Sequence, residues 1–349
     1  MAYASSQAVS PQFVKAIAAP KESQMLDTRL TEMLNIKYPI MLAGMAGISL
    51  AEVVAAVSEA GGYGVLGAGN LSAGEITDEL ARIRSLTTKP FGVDLLHAVN
   101  DNPVDEVQRI IDGGATSFAA GLGVPTRVIG MCHEAGLKVI TVTATVKHAQ
   151  MAAKAGCDMI VAQGSEAGGH TDSVGAFALL PQAVDAVSIP VVAAGGIFDG
   201  RGLVAALAFG CDGVWIGTRF VASKEARAAQ VYKNAILKAS ESDTVVSRCW
   251  TGQTLLALRN PTTDEWERDP QDIQRFPQQA ELMHSEDLLG FLFPEMAERD
   301  PVHNCFPAGQ GCGGIHEVQS CKEIVDEIVS QAEAILSRKV LPAKPAVRP

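Results

Sequence analysis

Eight times between residues 38 and 216 a short run of β-branched and small apolar residues gives way to a longer amphipathic stretch. That alternation restricts the fold more than any other feature, because it is the pattern of repeated βα units carrying a parallel sheet. The strands fall at 38–43 (YPIMLA), 63–66 (YGVL), 91–95 (FGVDL), 116–119 (TSFA), 138–142 (KVITV), 158–162 (DMIVA), 190–194 (PVVAA) and 213–216 (GVWI). Helices are expected near 49–60, 73–86, 103–113, 125–135, 145–155, 178–187, 200–209 and from 218 onward, each opened by a small polar, Pro or Gly residue. Eight repeats favour closure into an α/β (β/α)8 barrel, a TIM barrel, over an open doubly wound sheet. With 349 residues, 47% of them hydrophobic, the chain suffices for one such core and a modest appendage.

Four segments follow. Residues 1–30 read as a mobile arm: the first twenty lack a secretory signal, are acid-free up to Glu22 and contain no Arg. Residues 31–225 form the barrel. From 226 to 300 the rhythm is lost in polar stretches such as TTDEWERDPQDIQRFPQQ, which read as a small helical, lid-like insertion. Residues 301–340 are a C-terminal segment whose helix, 320–336, opens with a capping box of Ser320 and Glu323 and packs back on the barrel.

A formal net charge of −11 and the lack of a dense Lys/Arg stripe argue against nucleic acid as a partner. The apolar runs are too short and too Gly-punctuated to span a bilayer. Seven cysteines, scattered and without a CxxC pair, fit a reducing cytoplasm better than a disulfide or zinc framework. The expected partners are a small-molecule substrate and a second copy of the chain as a homodimer.

Chemistry concentrates in VAQGSEAGGHTDSVGAF, residues 161–177, after the sixth strand. Gly168 and Gly169 let backbone approach a flat ligand, and His170, the side chain that titrates nearest neutrality, follows them into the barrel mouth. A catalytic histidine and a capping or solvent-exposed one stand level on position alone. Two glycine turns, AAGGIFDG after strand seven and IGTRF after strand eight, occupy the places where barrels frequently bind phosphate through backbone amides. Strand one ends in LAGMAG and strand two in LGAGN, charge-free turns that suit a planar isoalloxazine ring, while Met45 and Leu66 read equally as ordinary core and neither turn is specific by itself.

Together the words YPIMLAGMAG, AGGYGVLGAGN, KPFGVDLL, GSEAGGHT, IPVVAAGGIFDGRG and GTRFVASKEA resemble the nitronate monooxygenase (2-nitropropane dioxygenase) family, which includes FMN-dependent enoyl-ACP and enoyl-CoA reductases. The resemblance implies an FMN-dependent oxidoreductase. By position, it places Ala43, Gly44 and Met45 against the flavin, Asn70, Asp94 and Gln163 as polar contacts to ring or ribityl chain, and Gly168 and Gly169 beside the cofactor. Gly195, Gly196, Gly217 and Thr218 match the phosphate site, His170 the catalytic or substrate-orienting histidine, and Gln310 in PAGQG the polar contributor of a closing C-terminal element. No metal site is implied. The leading activity is oxidation of a nitronate or related small carbon acid with oxygen. The alternative is reduction of an enoyl thioester or a quinone with NADH or NADPH, and a third reading, a non-catalytic flavin-binding barrel, ranks below both.

Overall fold

The computed structural model describes residues 25–96, 103–121 and 123–338. Among the described residues nine strands lead up to the insertion: β1 (Ile40–Leu42), β2 (Gly64–Gly67), β3 (Phe91–Leu96), β4 (Ser117–Gly121), β5 (Lys138–Thr143), β6 (Met159–Gln163), β7 (Gly169–His170), β8 (Val191–Ala194) and β9 (Gly213–Ile216). All but β7 form one parallel sheet in the order β1-β9-β8-β6-β5-β4-β3-β2. A parallel bridge between Met41 and Tyr63 joins its two ends, with Leu42 N donating to Tyr63 O and Tyr63 N to Ile40 O, both at 2.9 Å. The sheet is therefore a closed eight-stranded barrel, and each strand lies within two residues of its expected position.

The barrel closes because both faces of every strand find apolar partners. In β1, Met41 points into the barrel with Tyr63, Met159 and Trp215, while Ile40 and Leu42 face the outer helices. Those helices include α2 (Ala51–Glu59), α3 (Ala73–Leu86), α4 (Pro103–Asp112), α5 (Ile129–Glu134), α6 (Val146–Ala155), α7 (Ala176–Ala186) and α8 (Gly200–Ala208). The eighth shrinks to a single turn, α9 (Thr218–Val221).

Residues 25–30 depart from the expected arm. They lead into α1 (Arg29–Leu34), whose Leu30 and Leu34 plug the amino-terminal end of the barrel. Thr28 Oγ donates to Asp212 O at 2.6 Å and the Arg29 guanidinium grips the Asp212 carboxylate at 2.7 and 2.8 Å. Residues 1–24 lie outside the described residues.

The insertion is not only helical. Besides α10 (Gln230–Lys238), α11 (Pro261–Trp266), α12 (Gln278–Ser285) and α13 (Pro294–Arg299), it carries strands β10 (Thr244–Ser247) and β11 (Leu255–Leu258). These two pair antiparallel, and β11 also pairs with β7, Leu255 opposite His170 and Leu256 opposite Gly169. All four residues of β11 are buried, so no period-two pattern announces the strand. The insertion has its own core, built on the fully buried Trp250 with Cys249, Leu255, Ile273, Met283 and Leu289. Behind it, α14 (Cys321–Leu336) carries the expected Ser320–Glu323 capping box, and its backbone lies so close to Gly200 that a Cβ there would come within 2.6 Å of Ala332 N.

Candidate active site

One cavity of about 780 Å³ opens at the carboxyl ends of the barrel strands, within the roughly 300–1,000 Å³ range of cofactor and ligand sites. Ala43, Gly44 and Met45 line it from β1, Asn70 and Asp94 from the β2 and β3 ends, and Gln163 from β6. Gly168, Gly169 and His170 enter along β7, Gly195 and Gly196 follow β8, and Gly217 and Thr218 follow β9. Gln310 stands apart. Its side chain is exposed and its N–H donates to Glu166 O at 3.0 Å, whereas Gly309 and Gly311 reach the cavity. The 3-10 turn Gln310–Gly314 sets which way that side chain faces, a rotation the linear PAGQG word does not encode.

The glycines have steric reasons. A Cβ on Gly44 would sit 2.5 Å from Asp94 Oδ2, so the β1 turn can pass over the carboxyl only as glycine. Gly195 and Gly196 have φ of +105° and +69°, consecutive values that L side chains rarely adopt and that turn the backbone sharply into the cavity after β8. Gly309 N donates to Thr218 Oγ at 3.0 Å, which ties the C-terminal segment to the second glycine turn.

Two groups bear on what the cavity can hold. Asn70 Oδ1 is buried and has no hydrogen-bond partner among the described residues, an acceptor left for a bound donor. Burial pushes the Asp94 carboxyl up from 3.8 to about 8, the Gly121 N–H holding it back only in part, so near neutrality Asp94 is largely a protonated donor. An acceptor, a donor, a set of glycine turns and a wide apolar lining suit a planar heterocycle with polar edges and a phosphate tail. The residues present fit FMN.

His170 is half-buried, which displaces the solvent-exposed reading. Its backbone is held by the pairing with Leu255 and by Gln163 Nε2, which donates to His170 O at 2.6 Å. Its Nε2 lies 2.9 Å from Thr251 Oγ, in the connection between β10 and β11. Burial holds the imidazole below its ordinary 6.5, so the ring is neutral near pH 7. Sequence reasoning missed Thr251 and the wall that the insertion adds through Phe276, Leu289, Phe291 and Leu292. No periodic signal marks either, because both belong to a stretch whose folding depends on contacts remote in sequence.

Comparison with known proteins agrees with this geometry. A family model described as nitronate monooxygenase matches residues 27–109 and 97–331. A probable nitronate monooxygenase of Staphylococcus saprophyticus is 34% identical over 359 residues, covering 90% of this chain and 99% of the relative. One from Staphylococcus aureus strain MSSA476 is 36% identical over 304 residues, covering 74% and 85%. Among solved structures, FabK from Thermotoga maritima superimposes with a TM-score of 0.81 at 37% identity, covering 89% of this chain and 98% of that one. A nitroalkane oxidase from Streptomyces ansochromogenes gives 0.78 at 30%, covering 88% and 99%.

Proposed function

The chain belongs to the nitronate monooxygenase family and is an oxidoreductase, and from that premise we propose that it binds FMN and oxidises a nitronate or related small carbon acid with oxygen. The observation that carries the reading is His170, a neutral imidazole lining a largely apolar cavity at the carboxyl ends of the strands.

Gly195, Gly196, Gly217 and Thr218 would hold the phosphate, and Ala43, Gly44, Met45, Asn70, Asp94 and Gln163 the ring and ribityl chain, with Gly168 and Gly169 beside them. When bound, FMN supplies the two-electron acceptor and the route to oxygen. The protein's part is acid–base and positional. His170 removes or holds the substrate proton, and a neutral ring is the form that can accept it. Asp94, protonated, offers a hydrogen bond where an ionised carboxylate would repel an anion. The apolar wall of the insertion excludes water from the proton in transit.

The same wall supports a second reading. Phe276, Leu289, Phe291 and Leu292 extend apolar surface beyond what a small nitronate needs and suit the acyl chain of an enoyl thioester, with NADH or NADPH as reductant. Anaerobic titration of the purified protein separates the two. Bleaching of the flavin absorption by a nitronate, with no response to NADH or NADPH, is the expected result. Rapid bleaching by either nicotinamide cofactor would reject nitronate oxidation in favour of the reductase.

A further inference from the structure

We propose that Thr251 is a positioning residue for His170: its hydroxyl oxygen accepts Nε2–H and holds the ring in the tautomer whose bare nitrogen, Nδ1, is free to take a proton. The tautomer follows from counting the hydroxyl's contacts. Gln253 N–H, 3.4 Å from Thr251 Oγ, can only donate, so it takes a lone pair. Gln253 O, also at 3.4 Å, can only accept, so it takes the single hydroxyl proton. With all three contacts satisfied at once, Nε2 at 2.9 Å is the donor into the second lone pair. Nδ1 has no hydrogen-bond partner among the described residues, and the ring lines the cavity.

The hydroxyl can act as a post because its neighbours in the chain are tightly packed on both sides. Trp250 before it is fully buried in the insertion's core. Gly252 after it has φ +86° and packs so tightly that a Cβ would lie 2.6 Å from Arg275 C. The buried Gln279 Nε2 donates to Cys249 O at 2.7 Å, and Gly252 N donates to Arg248 O at 2.7 Å. On the other side, strand pairing and Gln163 already hold the His170 backbone, so the ring's rotation is the freedom that remains, and Thr251 removes it. The carboxylates nearest along the loop are engaged elsewhere: Glu166 accepts from Ala176 N and Asp172 from Ser173 N. Burial is the one cause that shifts His170. The insertion thus does more than roof the cavity, since it carries the group that orients the proton acceptor.

The inference uses the reading of His170 as proton acceptor in only one arm of its test. In the first arm, long-range proton–nitrogen NMR of the full-length protein reads the imidazole nitrogens directly, with a His170→Gln spectrum to assign the signal. The wild type should show protonated Nε2 and bare Nδ1. Thr251→Val should give a mixture of tautomers, and Thr251→Ser should restore the wild-type pattern. A wild-type ring protonated on Nδ1, or a Thr251→Val signal identical to wild type, overturns the proposal. Thr251→Ser, which keeps the hydroxyl, guards against a Val variant that fails to fold. In the second arm, Thr251→Val should slow anaerobic flavin bleaching by a nitronate roughly tenfold, in the limiting rate more than in the half-saturating concentration, with recovery by Ser. Tautomers that shift while the rate stays unchanged leave the positioning in place and overturn the proton-acceptor reading.

Discussion

Replacing Asp94 by Asn should remove a pH dependence of stability that the wild-type apoprotein carries. Burial raises the Asp94 carboxyl from 3.8 to about 8, so the folded protein keeps this proton over a range in which the unfolded chain has lost it. The sign follows. Below pH 3.8 both states are protonated and the favourable contribution is complete. Between 3.8 and 8 the unfolded state binds fewer protons than the folded one, and stability falls by up to about 1.4 kcal/mol per pH unit until the folded carboxyl also ionises. From pH 5 to pH 8 the loss reaches at most about 4 kcal/mol. Asn imitates the protonated shape under Gly44 but cannot ionise. Urea unfolding of both apoproteins at pH 5, 6, 7 and 8 gives the difference directly, other titrating groups cancelling between them. Wild type should lose stability relative to Asp94→Asn as the pH rises. A difference that stays constant across the series would mean that Asp94 is already ionised in the folded state, and would refute the neutral-donor argument.

His170→Gln should leave FMN affinity, followed by flavin fluorescence, near wild type while slowing nitronate-dependent bleaching by about 10²–10⁴. In the wild type the acid limb of that rate should lie below pH 6.5, because burial disfavours the imidazolium; by the same sign, this ring's contribution to stability is lost as the pH drops below 6.5. Gly195→Val forces a branched side chain to φ +105° with its Cβ 3.2 Å from Gly164 O, a strain of about 1–3 kcal/mol, and FMN affinity measured by equilibrium dialysis should fall about fivefold or more. Gly252→Ala should destabilise the insertion by about 1–3 kcal/mol, read from the urea midpoint, and should loosen His170 in the NMR spectrum as Thr251→Val does.

Much of the barrel was legible because its strands and helices are local patterns. YPIMLA and PVVAA are apolar on both faces, as a strand inside a ring of helices must be, and Ser320 with Glu323 marks a helix start within three residues. The glycine words were legible for a related reason: AGG takes positive φ in its own backbone, and the glycine of AGM leaves room for a close approach. The antiparallel sheet over the site was not. β11 is LLAL, buried throughout, and its partner β7 is two residues long, so neither carries an independent signal. Thr251 and His170 are 81 positions apart and meet only through that sheet. Lys233 on α10 is also buried, its Nζ donating to Ser223 O and Ala226 O at 2.6 and 2.9 Å through contacts that its local sequence does not mark.

What the amino-acid order determined by itself, then, is the eightfold repeat, the barrel it closes into, and the set of residues delivered to the strand ends. Those follow from side-chain periodicity and backbone allowance, which act over a few residues. The tertiary structure alone decided which way Gln310 faces, that Leu30 and Leu34 plug the barrel, that burial pushes the Asp94 carboxyl up, and that an insertion threonine meets the site histidine. Each of these depends on desolvation or contact between segments far apart in the chain, quantities that exist only once the chain has folded.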